Sequence, residues 1–441
     1  MRGKHKLLLV VLVVAILATI LVIPVGCSSG KKAIIIIPGI MGSNIVDAST
    51  GDPLWAPIEK GLKKWEMSTS DIPKLLKRQE VKDLLDVDGP KGAFNWLEKF
   101  KVNADGSTNA TCEAQYIQDD GTPKFDRVST YGTIDYYEKI YKYLKETFGD
   151  EYDVRLFEYD WRLDNLVSAE RLEKFINGHK YKEVVLVAHS MGGVMASTYI
   201  AHSEKNAKKV SKFISLGSPF LGAHKALRVL DDPLSLLGDQ ASLLNLAESI
   251  INNNNPDYEG NAFQDLLDKF LDFVHDLPTI YQLLPYVDMV GAYDGSNPDL
   301  DGHGVITVDG TPIKKYDDFE AFLNGRNYIN ERCMNKMIAW QKEQYRDGKH
   351  ATDLVDTAFF VGNESNTDIG VNFVSDGNGG FKMTTPVVSN QGDGTVAAYS
   401  ASCGNPLSDP RIVELKGISH GDMAYVDASL NKIAEIIKNL K

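Results

Sequence analysis

The residues with the most chemical content lie in VVLVAHSMGG, residues 184–193. Four apolar, mostly β-branched residues (Val184, Val185, Leu186, Val187) read as a buried strand. The chain then turns at His189, Ser190 and Met191 and enters Gly192-Gly193-Val194, which reads as a helix start. A serine on such a corner has its hydroxyl lifted above the sheet edge. The unpaired N–H groups of the helix that follows can face an oxyanion formed there. Small residues flank the serine because strand and helix backbones pass close together at this turn. A serine hydroxyl alone is a weak nucleophile. It needs an imidazole to take its proton and a carboxylate to fix the imidazole's tautomer and stabilise its cation.

The strand–serine–helix corner matches the G-x-S-x-G elbow of α/β-hydrolases, with Ala188 in place of the first glycine. In that fold the three groups follow the order Ser, Asp or Glu, His along the chain. After Ser190 the histidines are His202, His224, His275, His303, His350 and His420. Only His420 occupies a glycine-flanked loop between a last strand and a C-terminal helix, which makes it the candidate base. Asp393, between Gly392 and Gly394, is the candidate acid, in a turn that can present a carboxylate at the sheet edge. Asp160 precedes the serine and reads as a structural partner of Arg162; Asp422 is too close in sequence to orient His420 easily. His189 adjoins the serine and reads as structural.

The elements that must position these groups alternate strand and helix. KAIIIIPGIMGSN (32–44) is a central buried strand broken by Pro38-Gly39 into a loop of the kind that donates a second oxyanion N–H. An amphipathic helix over 131–149, capped by Gly149, is followed by a strand at 154–157, a helix at 165–177 and the serine strand. Further strands follow at 213–216, 357–362 and 411–415, and a final helix at 425–440. This alternation implies a mostly parallel sheet with right-handed crossovers and helices on both faces. Residues 50–115, with Trp55, Trp65 and Trp96, read either as a lid or as a satellite core. The stretch 223–345 reads as a mostly helical cap, with a polar loop at 252–255. A glycine-tipped hairpin is expected over 373–388.

The chain has 441 residues and a formal net charge of -13, which argues against a nucleic-acid partner and against electrostatic adhesion to anionic lipid. Residues 1–30 differ in kind. Arg2, Lys4 and Lys6 precede an apolar run over 7–25, and Gly26-Cys27-Ser28 follows. This is an export signal. Val25-Gly26-Cys27 resembles a bacterial lipobox, with Pro24 as a departure, so Cys27 is a candidate for lipidation; an uncleaved signal anchor is the alternative. Either places residues 31–441 outside the cytoplasm, tethered to a membrane surface. Two of Cys112, Cys333 and Cys403 could pair there. No C-x-x-C or H-E-x-x-H pattern suggests a metal, and no cofactor is expected. Asn297, Asp299, Asp301 and Gly302 imitate the start of a calcium loop, but Val308 stands where glutamate is needed, so they read as a turn cluster.

Six stretches together resemble the lecithin:cholesterol acyltransferase family, which includes lysosomal phospholipase A2-type enzymes and phospholipid:diacylglycerol acyltransferases. They are PGIMGS (38–43), YDWRL (159–163), AHSMG (188–192), FISLGSP (213–219), GDGTV (392–396) and GISH (417–420), in family order. The resemblance implies Ser190 as nucleophile, Asp393 as acid, His420 as base, and an oxyanion hole from the backbone N–H groups of Ile40 and Met191. It also implies a lipid ester substrate, with water or an acceptor alcohol taking the acyl group. The family's animal members carry a disulfide near the acid; Cys403 matches one half, but the strand around Phe359 and Phe360 has no cysteine. The expectation is a serine acyl hydrolase or O-acyltransferase. The alternatives are a generic carboxylesterase or triacylglycerol lipase, and a catalytically silent surface-binding lipoprotein.

Overall fold

A computed structural model describes residues 31–440 apart from 53, 56–76, 78, 104, 113–136, 232–240, 286–305, 314–315, 327–328, 378–379 and 385. The export segment with Cys27, Trp65 and the acidic turn cluster with Asn297, Asp299, Asp301 and Gly302 therefore lie outside the described residues.

Six parallel strands form the central sheet: β1 (Lys32–Ile37), β2 (Asp153–Leu156), β3 (Glu183–His189), β4 (Val210–Leu216), β5 (Thr357–Asn363) and β6 (Ile412–Lys416). Their spatial order is β6-β5-β4-β3-β1-β2, so the serine strand β3 is internal. The isoleucine run in β1 explains why the sheet is covered on both sides. Alternate residues of a strand face opposite ways. Ile35 and Ile37 join one core with Leu172, Ile176, Met195 and Tyr199. Ile34 and Ile36 join the other with Ile140, Leu144, Ile433 and Ile437. Helices α2 (Asn165–Gly178) and α3 (Met191–His202) thus cover one face, and α1 (Glu138–Phe148) and α7 (Asp427–Lys438) the other. Each fully buried Ile or Leu contributes about 1.5–3 kcal/mol, which makes such a two-sided strand a natural centre for the sheet. This is an α/β-hydrolase fold.

Between β4 and β5 lie α4 (His224–Asp231), a helix over Ala241–Asn254, α5 (Ala262–His275) and α6 (Glu331–Lys342). The helix at 241–254 runs through Asn252 to Asn254, where a loop was expected. The Asn254 side chain folds back onto the Ile250 carbonyl, and Asn255 reaches the carbonyls of Ile251 and Leu85, so local amide bonds end the helix rather than prevent it. Asn255 also accepts from the Val87 N–H. The expected hairpin is a strand at Thr367–Ser375 paired antiparallel with Phe381–Met383, and Val387–Ser389 returns to the same strand.

Of the expected tryptophan-bearing segment, Trp55 and Trp96 both pack inward. Their rings lie 6.0 and 4.9 Å from Phe100, and Trp55 meets Trp161 edge-on at 5.2 Å. Gly149 ends α1 with its N–H on the Lys145 carbonyl, at a φ of -62° that any residue adopts. Cys112, Cys333 and Cys403 are all free thiols. Arg162 and Asp160 form the expected pair, with Nη2 donating to Oδ2 at 2.6 Å and Nε to Oδ1 at 2.9 Å. Both side chains are buried, and the guanidinium also lies 4.7 Å over the Phe100 ring. No helix among the described residues is long and apolar enough to cross a membrane.

Candidate active site

Ser190 stands between β3 and α3 with φ 53° and ψ -130°. A non-glycine residue at such a φ stores strain of about 1–3 kcal/mol and persists only where its surroundings enforce it. Here the enforcement is visible. The Ser190 N–H donates to the Leu216 carbonyl at the end of β4, and the Gly193 N–H donates to the Ser190 carbonyl, both at 2.9 Å. The two glycines after Met191 permit close passage. A Cβ on Gly192 would strike the Pro38 carbonyl and Ile37, and one on Gly193 would strike Ser218. Ala188, where the elbow pattern has glycine, is fully buried, so its methyl is accommodated in the core.

His420 begins the short turn Gly-Asp-Met after β6. Its Nε2 lies 2.9 Å from Ser190 Oγ and its Nδ1 2.7 Å from Asp393 Oδ2. The His420 N–H donates to the Asp393 carbonyl, also at 2.9 Å, so backbone and side chain couple the two loops. Asp393 is 1 % exposed. Its other carboxylate oxygen accepts the N–H groups of Thr395 at 2.9 Å and Val396 at 2.7 Å. Burial alone would raise its pKa. The His420 imidazole, by charge and hydrogen bond, and the two amides outweigh burial and hold it below its ordinary value. The three side chains expected to act together thus meet, although 230 residues separate Ser190 from His420. Hydroxyl, imidazole and carboxylate in line can move a proton from oxygen to nitrogen while the carboxylate balances the charge.

Sequence reasoning missed the residues that make room for this line. Gly217, after β4, has φ +58°. A Cβ there would come within 2.9 Å of Asp393 Oδ2 and Met423 Sδ, and 3.2 Å of His420 Nδ1. Gly362 in β5 likewise lies against Asp393 Cβ and the Met423 methyl. Lys225 on α4 braces the acid turn from outside, donating to the Gly394 carbonyl at 2.6 Å and Thr395 Oγ1 at 3.2 Å. Only contact in space reveals these roles.

The loop after β1 runs directly over the serine. A Cβ on Gly39 would lie 2.8 Å from Ser190 Cβ, and Met41 is left-handed at φ 63°. The YDWR segment holds this loop from below. The Tyr159 N–H donates to Ser43 Oγ at 3.2 Å, Tyr159 Oη to the Pro38 carbonyl at 3.0 Å, and Trp161 Nε1 to the Ser43 carbonyl at 3.2 Å. Above it, the Gly39 N–H donates to Tyr137 Oη at 2.9 Å. Tyr137, which falls inside the helix expected over 131–149, immediately precedes α1. Ile40 follows Gly39 on this loop, and Met191 opens α3 beside Ser190. His189 turns its ring toward Tyr137 and the His420 carbonyl. Burial, reinforced by the nearby His420, pushes its pKa down to about 3. No cluster of His, Cys, Asp or Glu among the described residues could hold a metal ion.

The lecithin:cholesterol acyltransferase family model matches residues 90–243, a stretch that holds the YDWR segment, the serine elbow and FISLGSP. Over those residues the chain is similar to that family. No curated protein matches the chain. Among solved structures, the Tle4–Tli4 complex aligns over 93% of this chain and 99% of that one, at 12% identity and a TM-score of 0.55. The lipase BlEst2 of Bacillus licheniformis aligns over 69% of this chain and 86% of its own, at 11% identity and a TM-score of 0.34. The lin2722 product of Listeria innocua aligns over 93% and 95%, at 11% identity and a TM-score of 0.33.

Proposed function

We propose that the protein is a serine-dependent acyl hydrolase or O-acyltransferase acting on lipid esters through an acyl-enzyme. The observation that carries this reading is the line of Asp393, His420 and Ser190 at 2.7 and 2.9 Å. Similarity of residues 90–243 to a lipid acyltransferase family supports the substrate class. In this mechanism His420 Nε2 takes the Ser190 proton as Oγ bonds to the ester carbonyl carbon. The carbonyl electron pair moves onto oxygen, and the N–H groups of Ile40 and Met191 stabilise that charge. The tetrahedral intermediate collapses and its C–O bond breaks. The leaving alcohol takes the proton from His420, and the acyl group stays on Ser190. Water or an acceptor alcohol then gives its proton to His420 and attacks the acyl carbon; the bond from that carbon to Oγ breaks, and His420 returns the proton to Ser190. Asp393 stays ionised throughout and stabilises the imidazolium.

In this reading 223–345 is a cap that excludes water, and the balance of water against alcohol decides hydrolysis against transfer. Residues 1–30 carry the domain out of the cytoplasm and tether it to a membrane, by lipidated Cys27 or by a retained anchor. The test uses the protein with radiolabelled phosphatidylcholine vesicles and a long-chain alcohol, beside Ser190→Ala. Serine-dependent acylated alcohol is the transferase outcome, and serine-dependent fatty acid alone the phospholipase outcome. Activity confined to short-chain esters would make it a generic carboxylesterase. Full turnover by Ser190→Ala would refute the mechanism.

A further inference from the structure

We infer that Tyr137 and His189 form a one-way hydrogen-bond bridge that ties the loop over the serine to the loop of the base. On the function proposed above, both are positioning residues. The bridge runs from the Gly39 N–H to Tyr137 Oη at 2.9 Å, from Tyr137 Oη to His189 Nδ1 at 2.7 Å, and from His189 Nε2 to the His420 carbonyl at 3.0 Å.

Its polarity follows from donor accounting. The His420 carbonyl can only accept, so His189 Nε2 carries a proton. The imidazole is 7 % exposed and burial keeps it neutral, so Nδ1 is bare and must accept. The Tyr137 hydroxyl faces it and donates. That donation uses the phenol's single proton and leaves its oxygen to accept the Gly39 N–H. Each assignment forces the next. The two ends flank the nucleophile. Gly39 lies against Ser190 Cβ, and the His420 N–H is bonded to the Asp393 carbonyl. One phenol oxygen therefore fixes the amide next to Ile40, and through His189 the backbone that carries the base. The bridge spans the reacting atoms without touching them.

Tyr137→Phe removes the acceptor of the Gly39 N–H and the donor to His189 Nδ1 while keeping the ring. Misplacing reacting groups by a fraction of an ångström to one ångström costs on the order of 10- to 100-fold in rate. We expect kcat on an ester to fall by about that factor with KM within about twofold. His189→Leu should fall similarly, and the double variant no further, because both break one bridge. His189→Gln, whose amide can still donate to the His420 carbonyl, should recover part of the loss. NMR of 15N-histidine protein gives a readout without substrate. One ring, identified by its absence in His189→Gln, should be neutral with Nε2 protonated and Nδ1 bare from pH 5 to 9, and its Nδ1 resonance should move to higher frequency in Tyr137→Phe, which removes the donor to that nitrogen. A kcat within twofold of wild type in folded Tyr137→Phe overturns the positioning role. A His189 protonated at Nδ1, or titrating near pH 6.5, overturns the bridge. Wild-type protein with neither ester turnover nor Ser190 labelling by a fluorophosphonate would remove the proposed function instead, and the NMR signature would still decide the bridge.

Discussion

Gly217→Ala is the sharpest perturbation of the site that leaves every reacting side chain chemically intact. It combines two costs that can be separated. The first is backbone strain. At φ +58° an alanine pays about 1–2 kcal/mol. The second is space. The new methyl would lie 2.9 Å from Asp393 Oδ2, 2.9 Å from Met423 Sδ and 3.2 Å from His420 Nδ1. The thioether can swing aside, but the carboxylate is pinned by two amides and the imidazole by Asp393. Overpacking of this kind costs about 1–3 kcal/mol, so the whole loss should be about 2–5 kcal/mol. Gly348→Ala is the control. It has φ +73° with nothing within 4 Å of its Cβ, and pays the strain alone. Urea denaturation of the two variants therefore isolates the packing part as their difference, about 1–3 kcal/mol. The rate of Ser190 labelling by a fluorophosphonate gives the functional half. It should fall about 10- to 100-fold in Gly217→Ala, because the base and acid must shift to admit the methyl, and stay at the wild-type rate in Gly348→Ala. Equal stability losses together with wild-type labelling in Gly217→Ala would refute the claim that this glycine is a space-maker for the Asp393–His420 pair.

Two further expectations concern the whole fold. Burial pushes His189 down to about 3 and His350 to about 4 from an ordinary 6.5, so between those values and 6.5 the unfolded chain binds more protons. Stability is then full above pH 6.5 and falls as pH drops, by about 2 kcal/mol per histidine at pH 5. Asp393, held low when folded, is largely ionised in both states across that window and leaves the slope alone. Denaturation at pH 7.5 and pH 5 should show a difference of about 4 kcal/mol, roughly halved in His189→Gln; no difference would contradict neutral buried imidazoles. The three thiols should also be inert. Burial raises all of them, Cys333 and Cys403 to about 12, and none is paired. In native protein Cys112, Cys333 and Cys403 should resist thiol-reactive dyes, and dithiothreitol should leave the melting temperature unchanged. A shift of several degrees would reveal a bond between them.

Much of the frame is legible in the chain because it rests on local pattern. A run of isoleucines, a serine between strand and glycines, and a terminal strand–loop–helix each carry a period or a punctuation mark. Ser190, Asp393 and His420 could be named on those grounds, and the fold brings them together. What stayed hidden depends on partners distant in sequence. Tyr137 fits the apolar stripe of the helix expected over 131–149, and nothing local distinguishes a tyrosine packed for its ring from one held for its hydroxyl. Gly217 and Gly362 matter for what they leave empty, which no periodicity reports. Asn252 to Asn254 looked like a loop because asparagine competes with the helix backbone, yet the neighbouring Asn255 finds carbonyl partners, among them Leu85 far away in the chain.

The strand order has a consequence for the order of events in folding. The serine strand β3 can pair with β1 and β4 as soon as those segments exist, but the acid turn and the base loop follow β5 and β6, the last two strands of the central sheet and the outermost on that side. Contacts spanning 230 residues form late, because closing so long a loop is entropically costly. On the proposed function, a partly synthesised or partly folded chain therefore carries its serine without a base. Its chemistry would then switch on only when the final strands dock, so catalytic competence in this topology would itself signal that folding is complete.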